Sequence, residues 1–235
     1  MQQPGTPYEP PNPPPEPPNP PYQPPSPPYR TPAAYPLTFS VDYPERPLNR
    51  LSTGLRFLWI IPIGIIASLL ASGNISVEGQ SYSWSWAAGG ILFFPVLLML
   101  LFRKKYPRWW FDWNLELSRF LARVGAYALL LRDEYPSTDE EQAVHLDFAY
   151  PDASQLSRGL PIIKWLLAVP HWIVLWFLWI GAVVSVVISW FAILFTGRYP
   201  RPLFDYVVGV VRWTLRVEAY SLLLITDRYP PFSLE

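Results

Sequence analysis

The sequence predicts an all-α membrane protein: four transmembrane helices as two parallel hairpin repeats, two interfacial amphipathic helices and a small cytoplasmic β-sheet. Three observations carry that prediction. Of 235 residues, 51% are hydrophobic and 15% charged, against about 25% charged in an average soluble protein. Three long stretches carry no charge: 21 residues between Arg56 and Glu78, 24 between Glu78 and Arg103, and 33 from Trp165 to Gly197. The second half of the chain also repeats the pattern of the first.

Composition narrows the function classes. Eighteen basic residues balance eighteen acidic ones, so no bulk attraction draws the chain to nucleic acid. Without cysteine there is neither a disulfide framework nor a thiolate metal site.

The elements follow in chain order. Residues 1–36 hold 17 of the 30 prolines, a density that excludes helix and sheet. They read as a disordered cytoplasmic tail in extended polyproline form. A Tyr-x-Pro-Pro-x-Pro-Pro repeat starts at Tyr8 and Tyr22; it presents Tyr-Pro motifs to a protein partner or serves as a spacer. No apolar stretch before Leu55 has the make-up of a leader.

Repeat 1 covers 37–136, with spans at about 55–72 and 85–102 and an amphipathic helix at 111–131. The intervening GNISVEGQSYSWSW, rich in Trp and Ser, reads as a surface loop. Repeat 2 covers 143–235. Its 33-residue apolar stretch would be about 50 Å long as one helix, against a hydrocarbon core of about 30 Å. Two spans, about 160–180 and 182–197, joined near Gly181-Ala182, therefore fit better, followed by an amphipathic helix at 204–224. Alternation in Leu37-Phe39-Val41 and Val144-Leu146-Phe148 predicts two strands that pair across the repeats. The Tyr-Pro pairs at 43–44, 106–107, 135–136, 150–151, 199–200 and 229–230 mark junctions between elements.

Basic residues set the orientation. Arg46, Arg50 and Arg56 precede the first span, and Arg103, Lys104, Lys105 and Arg108 follow the second; Arg158, Lys164, Arg198 and Arg201 flank the other pair. The positive-inside rule puts both termini on the cytoplasmic side of a multi-pass plasma-membrane protein.

The duplication is visible residue by residue. LFRKKYPRWWFDWNLELSRFLARVGAYALLLRDEYP (101–136) matches LFTGRYPRPLFDYVVGVVRWTLRVEAYSLLLITDRYP (194–230) at an offset of 93, with one inserted residue before the closing Asp-x-Tyr-Pro. Upstream, FSVDYPERPLNRLSTGLRFLWIIP and LDFAYPDASQLSRGLPIIKWLLAVP share a Tyr-Pro, an Arg, a second basic residue and a helix proline. The YPLTFSVDYPE opening, the FTGRYPRPLFD box and the RWTLRVEAYSLLLITDRYPPF ending, doubled over residues 35–235, resemble an uncharacterised bacterial membrane family, the one numbered 4389 among the domains of unknown function. The first copy departs in RKK for TGR and in Pro-Ser for Pro-Pro after its last Tyr. The resemblance implies a small integral membrane protein with no assigned activity, and it brings no catalytic residues.

The candidate site lies on the amphipathic helices. Asp112, Arg119, Arg123 and Tyr127 fall at spacings of 7, 4 and 4, and Asp205, Arg212, Arg216 and Tyr220 repeat them, so each set shares a helical face. The Asp and Arg residues either fix each helix structurally, or Arg119, Arg123, Arg212 and Arg216 meet near the pseudo-two-fold axis. There they would bind anionic-lipid phosphate, for which the arginine fork is suited, or line a path for a small anion. Asp112, Asp205, Tyr127 and Tyr220 support the stripe. No enzyme, metal or cofactor is expected: His145 and His171 belong to no ligand cluster, and Ser118 and Ser157 lack a base partner. The leading expectation is a non-catalytic scaffold or accessory protein with an interaction tail; the alternative is an anionic-lipid or small-anion binding protein or transporter.

Overall fold

The computed structural model describes residues 35–235 apart from 78–79, 86–96, 104, 139, 153–155 and 158. Two strands, β1 (Leu37–Val41) and β4 (Val144–Phe148), form an antiparallel pair with Phe39 opposite Leu146. Alternate residues are buried, so Leu37, Phe39, Val41, Val144, Leu146 and Phe148 line the core while Thr38, Ser40, His145 and Asp147 form an exposed polar face. The register is symmetric about the Phe39–Leu146 pair: Leu37 faces Phe148 and Val41 faces Val144. The cross-repeat strand pair expected from the alternation is therefore present.

After β1, the Asn49 side chain accepts from the Leu51 and Ser52 amides to start α1 (Arg50–Gly54), as a helix N-cap should. Next come α2 (Arg56–Ala71), a hairpin of β2 (Ser72–Val77) and β3 (Gln80–Ser85), and a π-helical turn at Met99–Arg103. Three long helices follow: α3 (Arg108–Ala128), α4 (Leu160–Thr196) and α5 (Arg201–Ser221). The sheet packs on α3 and α5, which pack in turn on α2 and α4. Small twin cores join the helices: Ala168, Leu175, Trp213 and Val217 between α4 and α5, and Ile63, Ala67 and Phe120 between α2 and α3.

Several expectations need correction. The apolar stretch of repeat 2 does not turn at Gly181-Ala182; α4 runs unbroken over 37 residues, about 55 Å at the helical rise. Gly181 serves close packing instead. A Cβ there would lie 2.5 Å from the Tyr206 hydroxyl, which donates to the Leu178 carbonyl. Among the described residues α4 is the one helix long and apolar enough to cross a membrane. The first span, placed at 55–72, is a 16-residue helix that gives way to strand at Ser72; at about 24 Å it falls short of the hydrocarbon core. The GNISVEGQSYSWSW segment (73–86), read as a loop, carries most of a hairpin whose Ser-Tyr-Ser-Trp-Ser arm has the period of a strand. Most of the span placed at 85–102, and residues 1–34 of the tail, lie outside the described residues.

The amphipathic helices both begin three residues earlier than expected, directly after Pro107 and Pro200. Both also end three residues earlier, because Leu130 (φ 64°) and Leu224 (φ 56°) turn left-handed. A bulky side chain rarely adopts that conformation, and in the second half it recurs one residue beyond Leu223, the residue aligned with Leu130.

Candidate functional site

The stripes on α3 and α5 are main-chain clamps. In this sheet the bonded pairs are Asp42–Ala143 and Pro36–Ala149 at either end, so the phase of the ladder turns the carbonyls of Phe39 and Leu146 outward. Such an edge group needs a partner when it is covered. Arg119 Nε donates to Leu146 O at 2.9 Å, and Arg212 Nε donates to Phe39 O at 2.8 Å. Each helix therefore grips the strand of the other repeat.

Further along, Arg123 donates to Ser137 O and Arg216 to Ser233 O. The remaining guanidinium atoms differ between repeats. Arg119 meets Glu116 at 2.7 Å and Asp147 at 3.2 Å, whereas Arg212 donates to Leu234 O at 3.0 Å. Glu116 aligns with Gly209, and a Cβ on Gly209 would lie 2.8 Å from Leu234 Cβ. The glycine admits the segment after α5; the glutamate supplies a carboxylate where that segment would sit. The uncovered place in repeat 1 is a cleft of about 560 Å³, whose lining includes Arg119, Arg123, Glu116, Glu141 and Asp147.

Arg119 and Arg212 thus approach the central strand pair from opposite edges, and the four arginines do not form one cluster. Asp112 is exposed, and Asp205 pairs with Arg201 at 3.7 Å, so neither aspartate joins the arginines sharing its stripe. Tyr127 and Tyr220 are buried and belong to a different constellation.

That constellation is a cation lock, built twice. Arg56, at the start of α2, is 3% exposed, pairs with Asp133, donates to the Tyr127 and Arg132 carbonyls and stacks over the Tyr127 ring. Lys164, near the start of α4, is fully buried; it pairs with Asp227 at 2.7 Å, donates to Thr226 O and lies over the Tyr220 ring. The second oxygen of each aspartate accepts a backbone amide, Asn49 for Asp133 and Ser157 for Asp227. The aspartates are those of the two Asp-x-Tyr-Pro exits. Reading the sequence for arginines on helices missed this lock, although its signal was present as a basic residue upstream and an Asp downstream that recur together in both repeats.

The Tyr-Pro junctions cross between halves. Tyr43 donates to Tyr199 O and Tyr150 donates to Tyr106 O. Arg201 covers the Tyr43 ring and Arg108 the Tyr150 ring, while Phe204 and Phe111 meet the same two rings edge-on. Burial pushes the Tyr199 hydroxyl up to about 12 and raises that of Tyr106 as well, so these phenols stay neutral in the physiological range. His171 on α4 accepts from Trp213 Nε1 at 3.1 Å and stacks on Phe232 at 4.0 Å. Because the indole only donates, Nδ1 carries no proton. Among the described residues no three His, Asp or Glu side chains gather as a metal site would require.

Among the described residues, fold and contacts define a helical body clamped by arginines, with matching contacts in its two halves and one long apolar helix. Residues 161–233, which comprise most of α4, all of α5 and the Asp-x-Tyr-Pro exit, match the model of a family described as Domain of unknown function (DUF4389). That match covers one copy, in the second repeat. Neither a curated protein nor a solved structure matches the chain.

Proposed function

We propose that this protein is a non-catalytic membrane-bound scaffold, built from two copies of the family's unit, that organises a partner through its Pro-rich tail on the cytoplasmic side. The observation that carries this reading is the use of the stripe: Arg119, Arg123, Arg212 and Arg216 all donate to carbonyls of their own chain. Groups spent in this way hold a body together rather than process a solute. The doubled lock, clamps and tyrosine crossings support the two-copy reading. Attachment to the membrane is supported by α4, whose best apolar window is only 22% buried; a core helix of a soluble protein would be covered.

Affinity purification of the full chain from native membranes, beside a variant lacking residues 1–34, tests the scaffold. Partners enriched only with the tail are the expected result; the same partners, or none, would reduce the tail to a spacer. Anionic-lipid binding is the second reading, favoured by one observation: Arg123 Nε has no hydrogen-bond partner, beside the open repeat-1 cleft. Glu116, Glu141 and Asp147 on the same cleft oppose it. Co-purified phosphatidylglycerol that drops several-fold in Arg123→Gln, with partners unchanged, would favour the lipid.

A further inference from the structure

We infer that the protein lies on one leaflet, with α4 in the plane of the membrane and its exposed apolar face immersed, instead of crossing the bilayer. This rests on the membrane attachment proposed above and adds its geometry. The first observation is length: 37 residues make about 55 Å of helix, nearly twice the hydrocarbon core.

The second is packing. The buried residues of α4 form one stripe along its whole length, from Lys164 and Ala168 through Leu175 and Ala182 to Ser189 and Ile193. The first half rests on α5, through Trp213–His171, Trp179–Thr214 and Tyr206–Leu178. The second half passes beneath the other repeat, where Trp190 donates to Thr53 O and Leu48 N donates to Gly197 O. The helix therefore underlies both halves of the body.

The third observation is layering. The sheet rests on α3 and α5, and these rest on α2 and α4. The outer face of the sheet, with Thr38, Ser40, His145 and Asp147, is then opposite the exposed face of α4. Were α4 upright in the bilayer, that two-stranded sheet and the charged helices beside it would stand in hydrocarbon, where open edges and charges are expensive. Laid flat, the polar face meets water and the apolar face meets lipid.

Leu58, Trp59, Ile61 and Ile65 on α2 are exposed as well and widen the same base.

The chain has no cysteine, so single cysteines report cleanly in the full-length protein. Ile162→Cys, Val183→Cys and Phe195→Cys place a probe at each end and in the middle of the exposed face of α4. In sealed vesicles of both orientations, a membrane-impermeant maleimide should treat positions 162, 183 and 195 alike, and whatever labelling occurs should come from one and the same side. Spin labels at all three should report similar depths, about 5–10 Å below the headgroups. Ends labelled from opposite sides would mean a spanning helix. Ends on one side, with position 183 deep or reached from the other, would mean a hairpin. Either result overturns the in-plane geometry and leaves membrane attachment standing. Failure of the full-length protein to float with vesicles would instead remove the attachment itself.

Discussion

A lysine with no exposed surface keeps its charge only if its surroundings replace water. Lys164 has the Asp227 carboxylate, the Thr226 carbonyl and the Tyr220 ring to do so. Removing the carboxylate leaves an ammonium uncompensated, and breaking a buried pair from one side costs about 3–5 kcal/mol. Asp227→Asn should therefore lower the thermal stability of the detergent-solubilised protein markedly, while adding Lys164→Met should restore most of it. A loss below about 1 kcal/mol for the single variant would show that the lock is incidental. Glu218 on α5 poses the converse problem. Desolvation pushes its carboxyl from 4.5 up to about 7, so the folded chain holds a proton that the unfolded chain has released between those values. Stability should then fall as pH rises from about 4.5 to about 7. Glu218→Gln should flatten that part of the profile and melt higher than the parent at pH 8, with little difference at pH 5; parallel melting curves across this range would remove the carboxyl from the account.

At the scale of elements, α4 and α5 meet across an absent side chain. Gly181→Ala must displace the Tyr206 hydroxyl and break its bond to Leu178 O. A loss of about 1–3 kcal/mol is expected for such overpacking, and adding Tyr206→Phe should recover part of it by removing the clashing oxygen. Full stability in Gly181→Ala would mean that the helices can separate there without cost. This site also explains a misreading. In one dimension a Gly-Ala pair midway along 33 uncharged residues is a sensible turn; in the fold the helix continues and the glycine makes room for a tyrosine on another helix. The helices α3 and α5, by contrast, were legible within three residues at each end, because spacing and Tyr-Pro junctions are local. The stripe spacing was legible too, whereas its acceptors were not: they are main-chain carbonyls of Phe39, Leu146, Ser137 and Ser233, and a carbonyl leaves no trace in residue type.

For the whole molecule, duplication is a statement about which half stabilises which. The contacts that repeat are largely reciprocal: Arg119 grips β4 and Arg212 grips β1, while Tyr43 reaches Tyr199 and Tyr150 reaches Tyr106. The aligned repeats made the two-fold plan readable in the sequence, but not this crossing over, since an alignment records likeness and not contact. A pattern in which i meets j and j meets i is that of an isologous dimer, here fused into one chain. The second half alone should accordingly seek a copy of itself. Residues 143–235, expressed in detergent, should associate as a dimer in which β4 pairs with β4, Leu146 opposite Leu146, as Phe39 and Leu146 are now. Arg212 would then take the Leu146 carbonyl of the other copy in place of Phe39 O, and Arg212→Met should weaken the dimer at least tenfold. Light scattering in detergent reads the mass directly. A stable monomer that melts cooperatively would show each half to be self-sufficient, and the crossed contacts would then be a consequence of the fusion rather than the reason the two halves stay together.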